Sequence, residues 1–522
     1  MNRRILTAIG ILWAASSPVP SSAQSAAARD SALHLLNRIA FGPRPEDVER
    51  VAAMGVLNYL DLQLAPERIP DPEAEERIAK LEVFKLGTAE LAARFESERR
   101  ALRERLQTGD SLTPRPRMDN SFRRLTAELQ QAAVIRAVVS ERQLYEVMVD
   151  FWTNHFNVFL AKGAVRFLLP EYLERAIRPH AMGRFEDLLL ATARSPAMLF
   201  YLDNVQSVAP GARPPGFAMR NPRRPSNRPL PTGLNENYAR ELLELHTVGI
   251  EAGYTQEDVV NVARILTGWS MTPPQRGARF VFNRWAHDRG EKVVLGKTFP
   301  AGRDEEEGIE LLRFLARHPS TMRHVSRKLC ARFVSDDPPD GCIDAAVKAW
   351  EKSGGEIRAV LRAILTSPEF WAPQNRGAKI KTPLEFVASA IRALDGEPDT
   401  TLALGQMVGR LGQPLYLYQP PTGYPETQES WVSSSALLDR FNLALALASN
   451  RRPGATVDLD RLIPPSAVAD SLVTAVNRVI FHGTASAETL EVIRKEISGL
   501  PPIQARNLAV GLALGSPEFQ RQ

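Results

Sequence analysis

The segment at residues 235–249 carries more polar side chains than a helix needs for packing. At about 100° per residue, its charged and amide side chains fall in one arc, and its histidine falls on the opposite, apolar side. The polar arc holds Glu236, Asn237, Arg240, Glu241 and Glu244. Carboxylates beside an arginine could line a cleft and perform acid/base catalysis. The same arc could equally be a solvated face that neighbouring charge pairs stabilise.

A second candidate for chemistry is the run at residues 148–157, which predicts an apolar helix face with His155 near its centre. A buried imidazole must be hydrogen-bonded or ligated, because an unsatisfied polar group inside a protein costs free energy. His155 could be a core residue that a carbonyl or a carboxylate satisfies. Alternatively, it could converge with His246, which also lies on an apolar face, to bind a metal ion or supply a general base.

These two segments supply most of a candidate site. The candidate catalytic residues are His155, His246, Glu241 and Arg240. The candidate metal ligands are His155, His246 and Glu241, and a divalent metal ion is the candidate cofactor. Neither helix carries a His-x3-His pair, so a metal site would have to be assembled from separate elements. The candidate substrate-binding residues are Asn154, Asn235, Asn237, Tyr238, Trp269, Tyr424 and Trp431.

Two further motifs allow both a functional and a structural interpretation. His287 and Asp288 could form a catalytic dyad, but adjacent side chains diverge in a turn or a strand, so turn formation is the expected role. Tyr424 and Trp431 belong to a loop rich in glycine, proline and aromatic residues. Their rings could stack on sugars, or they could anchor the loop on the core.

The elements that must position these residues are mainly helices, because most segments show the helical period of apolar residues. The sequence predicts a mainly α, multi-helix globular protein with one small β-hairpin near residues 279–299, whose turn lies at 287–290. Residues 24–450 are predicted to form the main helical domain. This domain includes a Pro/Arg-rich loop at 208–234, which could be an exposed loop or a clamp for an anionic ligand. Residues 451–522 are predicted to form a linker and a C-terminal helical pair packed on the core.

The first 23 residues have the order of a secretory signal peptide: Arg3 and Arg4, an apolar run at 5–15, and small residues up to Ala23. We expect cleavage after Ala23 and a protein that is periplasmic or secreted. No later apolar run reaches the roughly 18 to 20 residues of a membrane-spanning helix. The net charge of +5 over 522 residues is too mild to indicate a nucleic-acid partner.

The chain has two cysteines, Cys330 and Cys342. In an oxidising compartment the economical interpretation is a disulfide, which would stabilise the fold by on the order of 3 kcal/mol. His324 is the one histidine in that neighbourhood, so a zinc site at the cysteines is not expected.

Several motifs together resemble the signature of the bacterial exported family catalogued as domain of unknown function 1800. They are Phe-Trp-Thr-Asn-His-Phe at 151–156, Asn-Glu-Asn-Tyr-Ala-Arg-Glu-Leu-Leu-Glu-Leu-His-Thr at 235–247 and Gly-Tyr-Thr-Gln at 253–256. Supporting matches run from residues 36–43 to 420–421. The resemblance implies an exported, mainly helical protein, and the family has no established activity to carry over. Its members are often encoded beside an exported family that looks like sulfatases and alkaline phosphatases, which implies a shared substrate or a complex.

One residue departs from the family pattern. Thr153 lies where relatives commonly have a second histidine beside the tryptophan. If that histidine is a required ligand, a metal centre in this chain would be weakened.

The sequence leaves two functional hypotheses. The first is an exported acid/base or metal-assisted enzyme, a hydrolase or a lyase, that acts on an envelope or extracellular polymer such as a polysaccharide. The second is a non-catalytic periplasmic binding or assembly protein that partners the sulfatase-like exported protein through the Pro/Arg-rich loop and the aromatic loop. The enzyme requires a cleft that reaches the site residues, whereas the binding protein requires exposed apolar residues on those loops.

Overall fold

Helices make up most of the regular structure in the computed structural model, which describes residues 22–108, 120–213, 233–451 and 453–522. The mainly α architecture predicted from the sequence is confirmed. The α-helices of these residues are α1 (Ser22–Ile39), α2 (Asp47–Met54), α3 (Val56–Gln63), α4 (Pro72–Ala79), α5 (Thr88–Thr108), α6 (Asn120–Val139), α7 (Gln143–His155), α8 (Val165–Glu171), α9 (Phe185–Ala193), α10 (Pro196–Tyr201), α11 (Asn237–Glu241), α12 (Gln256–Ile265), α13 (Glu305–Ala316), α14 (Pro319–Phe333), α15 (Asp340–Ser353), α16 (Ile357–Leu365), α17 (Pro368–Trp371), α18 (Pro383–Ala393), α19 (Leu404–Arg410), α20 (Ser434–Ala448), α21 (Leu459–Leu462), α22 (Ala469–Val479), α23 (Ala487–Ile497), α24 (Pro502–Gly515) and α25 (Pro517–Gln520).

Two helical segments have the wider π geometry, Tyr172–Ile177 and Leu242–His246. Short 3-10 turns occur at Pro66–Arg68, Glu82–Phe84, Arg178–His180, Asn204–Gln206, Ile250–Ala252, Pro274–Arg276, Arg284–Ala286, Pro373–Asn375 and Gln428–Ser430. Within the described ranges, no helix combines the length and the apolar character that crossing a membrane requires.

One hydrophobic core joins helices from both ends of the described chain. Leu36 of α1, Trp152 of α7, Leu365 of α16 and Leu514 of α24 belong to the same cluster of buried side chains. Every residue of α18 is buried, so this helix is surrounded by protein on all sides. α18 therefore offers a fixed base for side chains at its N-terminus.

The C-terminal part contains more helices than the sequence predicted. Residues 453–522 form the five helices α21 to α25, where the sequence predicted one helical pair. Gly483 and Pro501 interrupt the apolar period and separate α22, α23 and α24. α24 packs on α20 as well as on α22 and α23, so packing continues across residue 450.

Three two-stranded antiparallel sheets occur in the described residues, and the predicted hairpin at 279–299 is replaced by two hairpins. β1 (Trp269–Met271) pairs with β2 (Phe280–Phe282), and β3 (Lys292–Val294) pairs with β4 (Lys297–Phe299). β5 (Glu397–Pro398) pairs with β6 (Ala455–Thr456). Leu295 and Gly296 both have positive φ angles, of 49° and 78°, and make the two-residue turn that joins β3 to β4. Residues 287–290 therefore connect two hairpins and do not form the tip of one.

Some helix boundaries agree with the sequence because the local signals are strong. Thr255 and Asp258, whose residue types and spacing in the sequence indicate a capping box, form one at the start of α12. The predicted disulfide between Cys330 and Cys342 is also present, and it joins α14 to α15. Most of the predicted signal peptide, residues 1–21, and residues 214–232 of the Pro/Arg-rich loop lie outside the described residues.

Candidate functional site

The helix that the sequence predicted from Glu236 onward changes geometry in the middle. α11 ends at Glu241 and continues as the π segment Leu242–His246. A π turn has more residues per turn than an α-helix, so a wheel drawn at about 100° per residue fails beyond Glu241. His246 is nevertheless buried, with 1% of its surface exposed.

His155 and His246 lie side by side, with ring centroids 6.2 Å apart. The ammonium group of Lys328 is 3.2 Å from His155 Nδ1. Because an ammonium group can only donate, Nδ1 accepts and the ring carries its proton on Nε2. Nε2 then donates to the backbone carbonyl of His246, at 3.3 Å. Both nitrogens of His155 are thus satisfied, as in the core-histidine interpretation.

Burial keeps three neighbouring histidines neutral. Desolvation, followed by the Lys328 charge, lowers the pKa of His155 well below its usual value and that of His246 to about 3. The same two causes lower the pKa of His324 to about 4. Nε2 of His246 has no hydrogen-bond partner in the described structure. The group is therefore a cluster of neutral imidazoles around one lysine.

Glu241 and Arg240 belong to a different, half-exposed network on α11. Burial and then the neighbouring Glu244 raise the pKa of Glu241, while Arg240 opposes the shift. Arg240 donates to Gln256 Oε1 at 2.9 Å and lies 3.5 Å from Glu236 Oε2. Within the described ranges, no three His, Cys, Asp or Glu side chains meet in a way that could hold a metal ion. The candidate ligand set of His155, His246 and Glu241 is therefore not assembled in this structure.

A cleft of about 70 Å³ lies against α7, and a second cavity of about 40 Å³ adjoins it. The cleft is lined from α7, α14, α18 and the loop after α19, by residues that include Asp150, Thr153, Asn154, Arg332, Lys379, Glu385, Tyr416, Tyr424 and Glu426. Both cavities share Asp150, Thr153, Leu415 and Tyr416. Asp150 thus stands where the two spaces meet.

The surroundings of Asp150 favour its protonated form. Desolvation raises the pKa of its carboxyl to about 7; Arg332 opposes this shift, and Glu385 and Glu426 add to it. No hydrogen bond within the described residues holds the carboxyl group. A pKa of about 7 lies near neutral pH, which suits an acid or a base.

The pKa of Glu385 is shifted in the opposite direction, although this residue lines the same cleft. Burial is the largest single influence and would raise its pKa, but Arg332, the hydrogen bonds from Gln522 and Thr382, and the charge of Lys379 together outweigh burial, and the pKa is lowered. Arg332 Nη2 lies 2.6 Å from Glu385 Oε1. The N–H of Thr382 and the side-chain amide of Gln522 also donate to the carboxylate. Glu385 is therefore held ionised.

The loop that carries the aromatic residues is fixed to α7 by Asn154. The Asn154 side chain donates to the Tyr424 carbonyl at 2.9 Å and accepts from the Tyr424 N–H at 2.7 Å. Gly423 has a φ of +71°, and a Cβ there would lie 2.3 Å from the Asn154 carbonyl oxygen. Trp431 donates to the Pro425 carbonyl at 3.0 Å and is 6% exposed. These contacts fit the loop-anchoring interpretation.

α14 connects the histidine cluster to the cleft. Lys328 and Arg332 lie one helical turn apart on α14, and Lys328 Nζ is 3.9 Å from Glu426 Oε1. The disulfide at Cys330 lies between them and ties this part of α14 to α15. The two groups of polar side chains are therefore neighbours that share one helix.

The remaining candidate residues are dispersed. Tyr238 and Trp269 are buried, with 1% and 0% of their surfaces exposed, and the Trp269 ring packs against Gly308. Asn235 donates to the Asp203 carbonyl at 3.3 Å and accepts from the Asn237 N–H at 2.9 Å. None of these contacts brings the four residues to the cleft.

His287 and Asp288 diverge, as expected for a turn. His287 Nε2 lies 3.3 Å from Glu307 Oε2, and Lys292 Nζ donates to the same oxygen at 2.7 Å. Asp288 instead accepts two hydrogen bonds from Arg264. The His287 side chain is fully buried, so it stabilises the connection between the two hairpins.

The sequence pointed to α7 but not to the residues that complete the cleft. Asp150 stands among apolar residues of α7, and an acid in such a run was the available signal. Arg332, Lys379, Glu385 and Glu426 come from distant segments, and no local pattern links them to α7. These residues come together only through the packing of separate elements.

The comparisons with known proteins give one match. A model of the family described as "Protein of unknown function (DUF1800)" matches residues 34–521, a range that includes the whole cleft. Neither the curated proteins nor the solved structures yield a match to this chain.

Proposed function

The chain belongs to the DUF1800 family, and we propose that it is an exported acid/base enzyme, a hydrolase or a lyase, with its active site in the cleft at Asp150. The proposed substrate is an envelope or extracellular polymer such as a polysaccharide. The buried disulfide supports an oxidising compartment, either the periplasm or the medium. Fractionation of cells that express the full chain would test this location.

The observation that carries the proposal is the contrast between Asp150 and Glu385. One carboxyl has a pKa near neutrality and no hydrogen bond in the described structure, and the other is held ionised by Arg332 together with its hydrogen bonds. Carboxyls whose surroundings push their pKa values apart are typical of sites that perform acid/base catalysis. Structural ion pairs also shift pKa values, so the free Asp150 carboxyl is the stronger support.

In this proposal Asp150 donates a proton to the leaving oxygen of the substrate. Glu426, whose side chain is 23% exposed, faces the same cleft and is the carboxylate that water or substrate can reach. In a lyase reaction Arg332 and Lys379 would neutralise a substrate carboxylate beside the carbon that loses its proton. The product distinguishes the two reactions, because only elimination leaves an unsaturated sugar.

His155 is proposed as a positioning residue for Lys328. It accepts a hydrogen bond from the lysine at 3.2 Å, and Lys328 in turn faces Glu426 at 3.9 Å. The backbone carbonyl of His246 accepts a hydrogen bond from the other ring nitrogen of His155. Replacing His155 would then lower activity by releasing Lys328 from its position beside Glu426, besides its effect on stability.

The experiment is a screen of neutral and acidic polysaccharides with the mature protein and an Asp150→Asn variant. New reducing ends report hydrolysis, and ultraviolet absorbance of unsaturated ends reports elimination. We expect Asp150→Asn to lower turnover by about 10²- to 10⁴-fold. Asp439→Asn, at an exposed position of α20, is the matched control and should keep full activity. Equal turnover by Asp150→Asn and the wild type would refute the assignment.

One observation favours the second candidate, a non-catalytic binding or assembly protein. Val432, Leu437 and Leu438 are 43%, 38% and 59% exposed beside the aromatic loop. The proposed partner is the sulfatase-like exported protein. Purified together, the two proteins should form a complex that Leu438→Asp weakens and Asp439→Asn does not. No complex at micromolar concentrations would remove this candidate.

A further inference from the structure

We propose that a cavity around Lys381 binds a small oxyanion that keeps one hydroxyl group, of which monohydrogen phosphate is the simplest example. The cavity, of about 50 Å³, lies between α1, α18, the residues after α22, and α25. A water molecule needs roughly 10 to 15 Å³ of such space, so the cavity can hold several waters or one tetrahedral oxyanion. This site is separate from the cleft at Asp150 and does not depend on the proposed enzyme activity.

Lys381 is the unpaired member of a set of three buried lysines in the described residues. Lys292 pairs with Glu307 at 2.7 Å, and Lys379 pairs with Asp336. Lys381 is 4% exposed, and its ammonium group has no hydrogen bond or ion pair within the described structure. The ammonium group lies over the ring of Phe519, with 4.0 Å from the nitrogen to the ring centroid.

A buried ammonium group without a counter-ion is unfavourable. Burial accordingly lowers the pKa of Lys381 to about 7; Glu385 opposes this shift and Arg440 adds to it. An anion in the cavity would supply the missing counter-charge and restore the protonated amine. Arg521, which also lines the cavity, adds a second positive charge.

Two more polar atoms at the cavity residues lack partners in the described structure: Nε2 of His482 and Oε2 of Glu518. His482 has a φ of 53°, an uncommon backbone conformation for a residue with a side chain. The other oxygen of Glu518 is occupied, because Ser486 and Thr489 donate to it at 2.8 and 2.5 Å. His482 and Glu518 both line the cavity, so the residues around it carry donors and one unused carboxylate acceptor.

Donors beside a carboxylate acceptor distinguish an oxyanion that carries a proton from one that does not. Hydrogen phosphate can accept from Lys381 and His482 and can donate its hydroxyl to Glu518. Sulfate carries no proton at neutral pH, so it would meet the Glu518 carboxylate as a like charge. The residues of this site should therefore prefer phosphate to sulfate.

Isothermal titration calorimetry of the full mature protein with inorganic phosphate, and separately with sulfate at matched ionic strength, tests the site. We expect one phosphate per chain and at least ~10-fold weaker sulfate binding, because the Glu518 carboxylate accepts a hydrogen bond only from phosphate. Lys381→Met should abolish binding. Lys495→Met, the same charge change at an exposed position of α23, should leave it intact.

A second variant keeps the proposal testable if Lys381→Met fails to fold by circular dichroism. Glu518→Gln retains the positive groups and should bring sulfate binding close to phosphate binding. Absence of phosphate binding in the millimolar range would overturn the proposal. Unchanged binding by Lys381→Met, or an unchanged phosphate preference in Glu518→Gln, would overturn it as well.

Discussion

The carboxyl groups of Asp150 and Glu385 line one cleft, and their surroundings move the two pKa values in opposite directions. Burial raises both pKa values and Arg332 lowers both, but Glu385 also has an ion pair with Arg332 at 2.6 Å and hydrogen bonds from Gln522 and Thr382. Asp150 has no hydrogen bond in the described structure, so burial dominates there while the contacts of Glu385 keep it charged.

Asp150→Asn should change the pH dependence of stability. In the unfolded chain the carboxyl ionises near pH 3.8, whereas in the folded protein it ionises near 7. Between these two pH values the folded protein keeps the Asp150 proton that the unfolded chain has lost. The free energy of unfolding of the wild type, relative to that of Asp150→Asn, therefore falls as the pH rises from about 3.8 to about 7 and is constant above that. The fall should be on the order of 3 kcal/mol. Urea unfolding at about pH 4.5 and about pH 8 measures it, and an equal difference at both pH values would contradict the prediction.

Arg332→Met should destabilise the fold by about 3 to 5 kcal/mol, because it leaves the buried Glu385 carboxylate without its partner. The side chains of this pair are only 10% and 4% exposed. Arg362→Met is the matched control, since its ion pair with Asp61 is about half exposed and should contribute at most about 1 kcal/mol. Denaturant unfolding of both variants makes the comparison, and similar losses would argue against a special role for Arg332.

His246→Leu should make the protein less sensitive to acid. The folded pKa of His246 is lowered from 6.5 to about 3, so below pH 6.5 the unfolded chain takes up a proton that the folded protein does not. Stability is therefore lost as the pH falls through this range, by roughly 2 kcal/mol at about pH 5. The variant should gain this amount over the wild type at about pH 5 relative to about pH 8. A constant difference between the two proteins would show that His246 is not the titrating group.

Gly423→Ala should displace the aromatic loop from α7. The new Cβ would lie 2.3 Å from the Asn154 carbonyl oxygen. Gly412→Ala separates this clash from backbone strain, because Gly412 also has a positive φ but has open space around it. We expect about 1 kcal/mol of strain in both variants and roughly 1 to 3 kcal/mol more in Gly423→Ala. Thermal unfolding of the pair tests this, and equal melting temperatures would rule out the close contact.

Local signals predicted the helices well. The bounds of α9 and α13 follow from their apolar period, and the start of α12 follows from the capping box of Thr255 and Asp258. The two hairpins were missed because the partner of β2 is β1, before it in the chain, and not β3 after it. The change to π geometry at Leu242 was also missed, because it has no local residue signature.

The cleft could be predicted only in part. The sequence predicted candidate site residues on α7, which stays a prediction, and the structure places His155 beside His246. Which face of α7 meets the cleft depends on where α14, α18 and the loop at Tyr424 pack. Those contacts are set by the core and not by the sequence of α7, so Asp150 could not be distinguished from a structural acid.

The two hydrogen bonds between Asn154 and Tyr424 join residues that are 270 positions apart in the chain. Contacts at such separation form late in folding, since a long loop must close before they contribute. During synthesis the wall of the cleft at α7 is complete long before the opposite wall exists. The cleft is therefore expected to be among the last parts of the molecule to acquire its native shape, and a protease cut between the two residues would separate its walls.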